Sequence, residues 1–70
     1  MSDTAEIALK EAIAAVGGSA ALARRLGIKQ PSVFQWERVP AERVLAVEAA
    51  TGVRRERLRP DIYPPQEAAE

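Results

Sequence analysis

Between Ser19 and Trp36 the chain reads SAALARRLGIKQPSVFQW, with an alanine four residues ahead of a glycine inside an apolar frame. That spacing commits the segment to two short helices meeting at a steep angle. A small side chain is needed where the helices cross, and Ala23 supplies it; Gly27 can adopt the left-handed backbone that ends a helix in a tight turn. Leu22 and Leu26 mark the inner face of the first helix of the pair, and Ile28 anchors the turn. Val33 and Trp36, three residues apart, give the second helix one buried side. Pro31 suits the first turn of that helix, where a missing N–H costs nothing.

The flanking segments carry the same helical period. Leu9, Ala12, Ile13 and Val16 predict an amphipathic first helix over 4–16, ended by Gly17 and Gly18. Ser19 is the expected N-cap of a second helix ending at Leu26, and a third is expected over 30–38. Pro40 opens a fourth, AERVLAVEAAT, with Val44, Leu45, Val47 and Ala50 inward and Gly52 as its stop. Residues 54–59 can form one or two turns before Pro60, and 61–65 read as an extended segment whose Ile62 and Tyr63 fold back onto the body or a partner. No stretch alternates with period two. The expected class is all-α: a compact four- to five-helix bundle containing a helix-turn-helix, one domain over 1–64, with a disordered acidic tail over 65–70.

At 70 residues, apolar burial only narrowly exceeds the entropy of ordering, so a partner subunit that extends the core is a physical expectation. The chain has no cysteine and no histidine, which removes disulfides, thiolate metal sites, the usual zinc ligands and the commonest acid–base catalyst. No metal or cofactor is expected, and a reducing cytoplasm suits the composition. The apolar runs fall far short of the roughly 20 residues of a membrane span. The start, MSDTAEIALKEA, is acidic where an export signal is basic. An enzyme is disfavoured, because the carboxylates are scattered, there is no glycine-rich phosphate loop and little room exists for a pocket.

The formal net charge is zero, but the charges are segregated. Residues 1–23 carry net −2, residues 24–59 carry nine arginines and lysines against four glutamates, net +5, and residues 60–70 carry net −3. Local fields rather than the total govern binding to phosphate, so the basic middle segment is compatible with nucleic acid. With Val33 and Trp36 defining the buried direction, a step of about 100° per residue puts Pro31, Phe34, Gln35 and Arg38 on the opposite side, with Gln30 at the tip and Ser32 at the edge. A DNA major groove would see that face. Glutamine amides can pair with adenine N6 and N7, and Phe34 can meet thymine methyl groups. Phe34 has a competing use in packing against the first or fourth helix or a second subunit.

These residues, with VPAERVLAVEAATG and LRPDIYP, resemble the Cro/CI-type helix-turn-helix family of phages and prophages, in particular the small Cro-like regulators of the YdaS type. The resemblance spans residues 9–64. It implies a lambda-repressor-like DNA-binding domain that binds a palindromic double-stranded operator as a homodimer and represses transcription in a bacterial cytoplasm; some relatives are described as antitoxins with a protein toxin as partner. In relatives the positions of Gln30, Pro31 and Gln35 supply base contacts. Two positions depart from the pattern, which has glutamine where Ser19 stands and serine or threonine where Lys29 stands.

The expected base-contacting set is therefore Gln30, Pro31, Ser32, Phe34 and Gln35. The expected phosphate contacts are Ser19, Lys29, Arg38 and Arg43, the last in the first turn of the fourth helix. Val53, Leu58, Ile62 and Tyr63 are the expected dimer interface, because they are numerous apolar groups for the end of a small core. A cluster that merely closes the monomer fits them too, as does a chain that dimerises only on DNA.

Overall fold

A computed structural model of the chain describes residues 4–64. Five α-helices follow one another: α1 (Thr4–Ala15), α2 (Ser19–Leu26), α3 (Gln30–Phe34), α4 (Val44–Thr51) and α5 (Arg55–Leu58), with a 3-10 turn (Ala41–Arg43) leading into α4. No strand occurs among the described residues. The expected tail over 65–70 lies outside them.

Two apolar clusters hold the helices together. The larger joins Leu9 and Ala12 of α1 to Val39, Val44, Val47 and Leu58. The smaller is Leu22, Ala23 and Val33, the crossing of α2 and α3. Ile13, Leu26 and Trp36 touch both clusters and make one continuous interior. Ala23 is 2% exposed, as the close crossing requires. Gly27 ends α2 at φ 72°; its N–H donates to the Arg24 carbonyl at 3.2 Å and the Ile28 N–H to the Ala23 carbonyl at 3.0 Å. This pair of bonds satisfies the carbonyls that the last turn leaves open and directs the chain into α3.

Several expectations need correction. Ser19 is the first residue of α2 and not its cap; Gly18 holds that position and no side chain caps the helix. The third helix ends at Phe34 instead of running to Arg38. Its final turn tightens, with the Trp36 N–H on the Val33 carbonyl at 3.1 Å, after which the chain leaves to bury Val39 completely. The following proline disfavours helical backbone at Val39, which reinforces the exit. Pro40 precedes a 3-10 turn and not the α-helix itself, so Arg43 sits at the N-cap position of α4. Leu45 faces outward at 52% exposure, while Val44 and Val47 take the inward positions. Residues 60–63 form a turn where an extended segment was expected over 61–65, with the Ile62 and Tyr63 N–H groups both donating to the Arg59 carbonyl; residue 65 lies outside the described residues.

Candidate nucleic-acid interface

The crossing of α2 and α3 buries Val33 and leaves Gln30, Pro31, Ser32, Phe34 and Gln35 exposed. Lys29 stands at the N-cap position of α3 with extended backbone (φ −78°, ψ 144°) and no side-chain cap bond. The first N–H groups of α3 therefore lack the cap that a serine or threonine there would give. Gln35 closes the helix, its N–H on the Pro31 carbonyl at 3.2 Å. All five side chains expected to face bases lie on one short segment. One of them, Phe34, lines a groove together with residues of α1.

Phe34 is 66% exposed and forms one wall of an open groove of about 370 Å³, facing Leu9, Ile13 and Lys10 of α1 across a floor that includes Trp36. Ser19 lines the same groove. The geometry brings Phe34 and Ser19 together on the α1 side of α3, and Ser19 is half-buried there. Arg38 lies on the irregular loop beyond α3, and Arg43 is half-buried at the start of α4. The four expected phosphate contacts thus come from four different pieces of backbone.

Ion pairing divides the basic side chains sharply. Among the described residues, Arg24, Arg25, Lys29 and Arg43 make no ion pair; the first three are exposed and Arg43 is half-buried. Arg24 and Arg25 close the last turn of α2, where cations offset the helix dipole. The C-terminal arginines are engaged. Glu48 lies 3.4 Å from Arg54 and 3.5 Å from Arg55, and Arg54 also meets Glu56 at 3.4 Å. Arg57 forks onto Glu11 of α1, and Arg59 onto Asp61. The hydrogen bond from Arg57 holds the Glu11 carboxyl below its usual range, and that from Arg59 holds Asp61 at about 2, with the charge of Arg38 adding to the effect.

The expected dimer surface is also redrawn. Leu58 is fully buried in the monomer core, packed with Val39, Val44 and Val47, so it has no surface to offer a partner. Val53 and Tyr63 pack against the same cluster, and Tyr63 additionally lies 5.7 Å below the Arg55 guanidinium. Ile62, at 40% exposure, remains outward. Leu45 is an exposed apolar group that periodicity assigned to the interior. Among the described residues no helix is long and apolar enough to cross a membrane, and no three His, Cys, Asp or Glu side chains gather as metal ligands.

A family model described as "Bacterial toxin YdaS" matches residues 9–67, which contain the helix pair, the loop beyond it and α4 and α5. The chain belongs to the YdaS family. It is 52% identical over 59 residues to the Escherichia coli (strain K12) protein named "Putative transcriptional regulator YdaS", a match covering 76% of this chain. The match spans 60% of that relative's own length. No solved structure is matched by the comparison. The two names differ in kind, one a toxin and the other a regulator, and both attach to the YdaS family.

Proposed function

We propose that this chain is a sequence-specific, double-stranded DNA-binding transcriptional regulator, a Cro-like repressor that inserts the segment 30–38 into the major groove of a palindromic operator. The observation that carries the reading is the segregation of charge: among the described residues Arg24, Arg25, Lys29 and Arg43 make no ion pair, while Arg54, Arg55, Arg57 and Arg59 are engaged within the fold. Open cations beside exposed glutamines are what phosphate positioning and base reading require together. Gln30 and Gln35 read adenine edges, and Pro31 and Ser32 complete the contact surface. Phe34 reaches thymine methyls from the side of the α1 groove. Lys29, Arg38, Arg43 and Ser19 hold the phosphates.

The operator-bound form is a homodimer, with recognition helices about 34 Å apart on successive turns of one DNA face. Its interface draws on Ile62 and the edge of Tyr63. Such a regulator works in the cytoplasm, on the nucleoid. The relative named a transcriptional regulator supports this reading.

The matching family model is described as a toxin, a name that by itself specifies no target. The competing reading makes the chain an antitoxin that acts mainly on a protein toxin. Selecting sites from a random duplex library with the purified chain tests the proposal. A two-fold-symmetric winner bound about a thousand-fold more tightly than a scrambled duplex supports it. Weak binding with no enriched sequence overturns it. Gln35→Ala separates the readings in cells: loss of DNA binding with biological activity retained favours the protein partner.

A further inference from the structure

The motif LRPDIYP contributes nothing to the base or phosphate contacts above, yet its arginine is engaged on every guanidinium nitrogen. Arg59 Nε donates to Oδ1 of Asp61 at 3.0 Å, Nη2 to Oδ2 at 2.8 Å, and Nη1 to the Val39 carbonyl at 2.9 Å. The Arg59 side chain is 16% exposed and its bond to the Val39 carbonyl is part-buried, whereas the fork onto Asp61, itself 52% exposed, lies at the surface. On Val39, the isopropyl group is fully buried, and the carbonyl accepts no backbone N–H among the described residues. That oxygen is where the C-terminal turn grips the loop leaving the reading helix.

The grip falls at a sensitive torsion. Pro40 has its φ fixed at −60° by its ring, so the direction in which the chain enters the 3-10 turn depends on ψ of Val39. Holding the Val39 carbonyl holds that angle. Arg38 lies immediately before it, and Arg43, whose N–H donates to the Pro40 carbonyl at 2.9 Å, is the last residue of the turn. The bidentate pair with Asp61 sets the plane of the guanidinium so that its remaining nitrogen points at this oxygen.

We propose that Arg59, aimed by Asp61, is a positioning residue for DNA binding: it fixes the loop 35–40 and thereby places Arg38 and Arg43 against the phosphates. The inference rests on the reading of the α3 face as the DNA-binding surface. It assigns LRPDIYP a role as a clasp between the end of α5 and the exit of α3.

Two substitutions separate the clasp from simple electrostatics. Asp61→Asn removes a negative charge whose field reaches Arg38, so charge alone predicts tighter binding to phosphate. The clasp predicts weaker binding, because an amide offers one acceptor oxygen where the carboxylate offers two. Arg59→Lys keeps the positive charge and loses the planar fork.

The experiment measures the affinity of the full chain, the two variants and Arg57→Gln for the library-selected duplex and its scramble at two salt concentrations, with thermal unfolding of each. Expected for Asp61→Asn and Arg59→Lys is a loss of about tenfold or more on the selected duplex below their melting points, with the salt slope reduced by about one phosphate contact. Arg57→Gln, in the preceding helix α5 and paired with Glu11 of α1, should stay within about twofold. Wild-type affinity in Arg59→Lys, or equal or tighter binding by Asp61→Asn, overturns the clasp and leaves the DNA reading standing. A wild-type chain that prefers no duplex over the scramble overturns the reading and the clasp together.

Discussion

The helix pair around Gly27 and the C-terminal half around α5 are both rich in arginine and lysine, and they use them in opposite ways. In the first, Arg24, Arg25, Lys29 and Arg43 have no ion pair among the described residues. In the second, Arg54, Arg55, Arg57 and Arg59 all meet carboxylates, two of them through bidentate forks. A cation already paired within the fold has little left to exchange for phosphate, and one left open releases counterions when DNA arrives. The contrast teaches that a basic segment is not yet a basic surface. Net +5 over 24–59 overstates what a ligand meets.

The largest expected effect tests where the C-terminal half ends and a partner would begin. Leu58→Ala should cost about 2–5 kcal/mol of monomer stability, since it opens a cavity among Val39, Val44 and Val47. Urea unfolding at two protein concentrations checks it. An interface role would instead give a monomer of unchanged stability and a concentration-dependent loss of dimer.

Gly27→Ala probes the local geometry of the helix pair. No atom stands within 4 Å of the added methyl, so the cost is backbone strain at φ +72° alone. It should reach about 1–2 kcal/mol. A neutral result in thermal unfolding would mean the turn is not held left-handed in solution.

Lys29→Ser sharpens the comparison by setting stability against binding. A serine cap on α3 should add about 1 kcal/mol to stability while DNA affinity falls through the lost cation. The same logic predicts that Arg43→Gln flattens the salt dependence of DNA binding by about one unit of slope, and Arg54→Gln leaves it unchanged. Equal slopes for the two arginine variants would erase the distinction between open and engaged cations.

Acid gives the smallest effect and belongs to the C-terminal half. The Asp61 carboxyl titrates in the folded chain at about 2, below its ordinary value of 3.8, because Arg59 hydrogen-bonds its charged form. The stabilisation from that pair is therefore complete above about pH 4 and fades as the pH falls toward 2. Asp61→Asn should melt below wild type at pH 7, and the gap should narrow at pH 2. A gap of constant size would show that the ion pair is not its source.

Much of the helix pair was legible because its determinants are local. Ala23, Gly27, Val33 and Trp36 act on neighbours within one or two turns, and the buried and exposed sides of α3 follow from their spacing. The C-terminal region was read less well. Leu45 and Leu58 exchanged roles: α4 reads VLAVEAAT, apolar on nearly every side, so its period does not select a face. The end of α3 was placed four residues late, because the burial of Val39 that pulls the chain away is a contact with distant helices.

The sequence by itself determined the all-α class, the turn at Gly27 and which side chains of α3 face outward, since each depends on backbone propensity and short-range periodicity. Tertiary structure alone decided which cations stay open. Glu11 reaches Arg57 across 46 positions and Arg59 reaches the Val39 carbonyl across 20, and no local rule pairs residues so far apart. The open charge of the helix pair, and the clasp that places Arg38 and Arg43 beside it, exist only once the helices have packed.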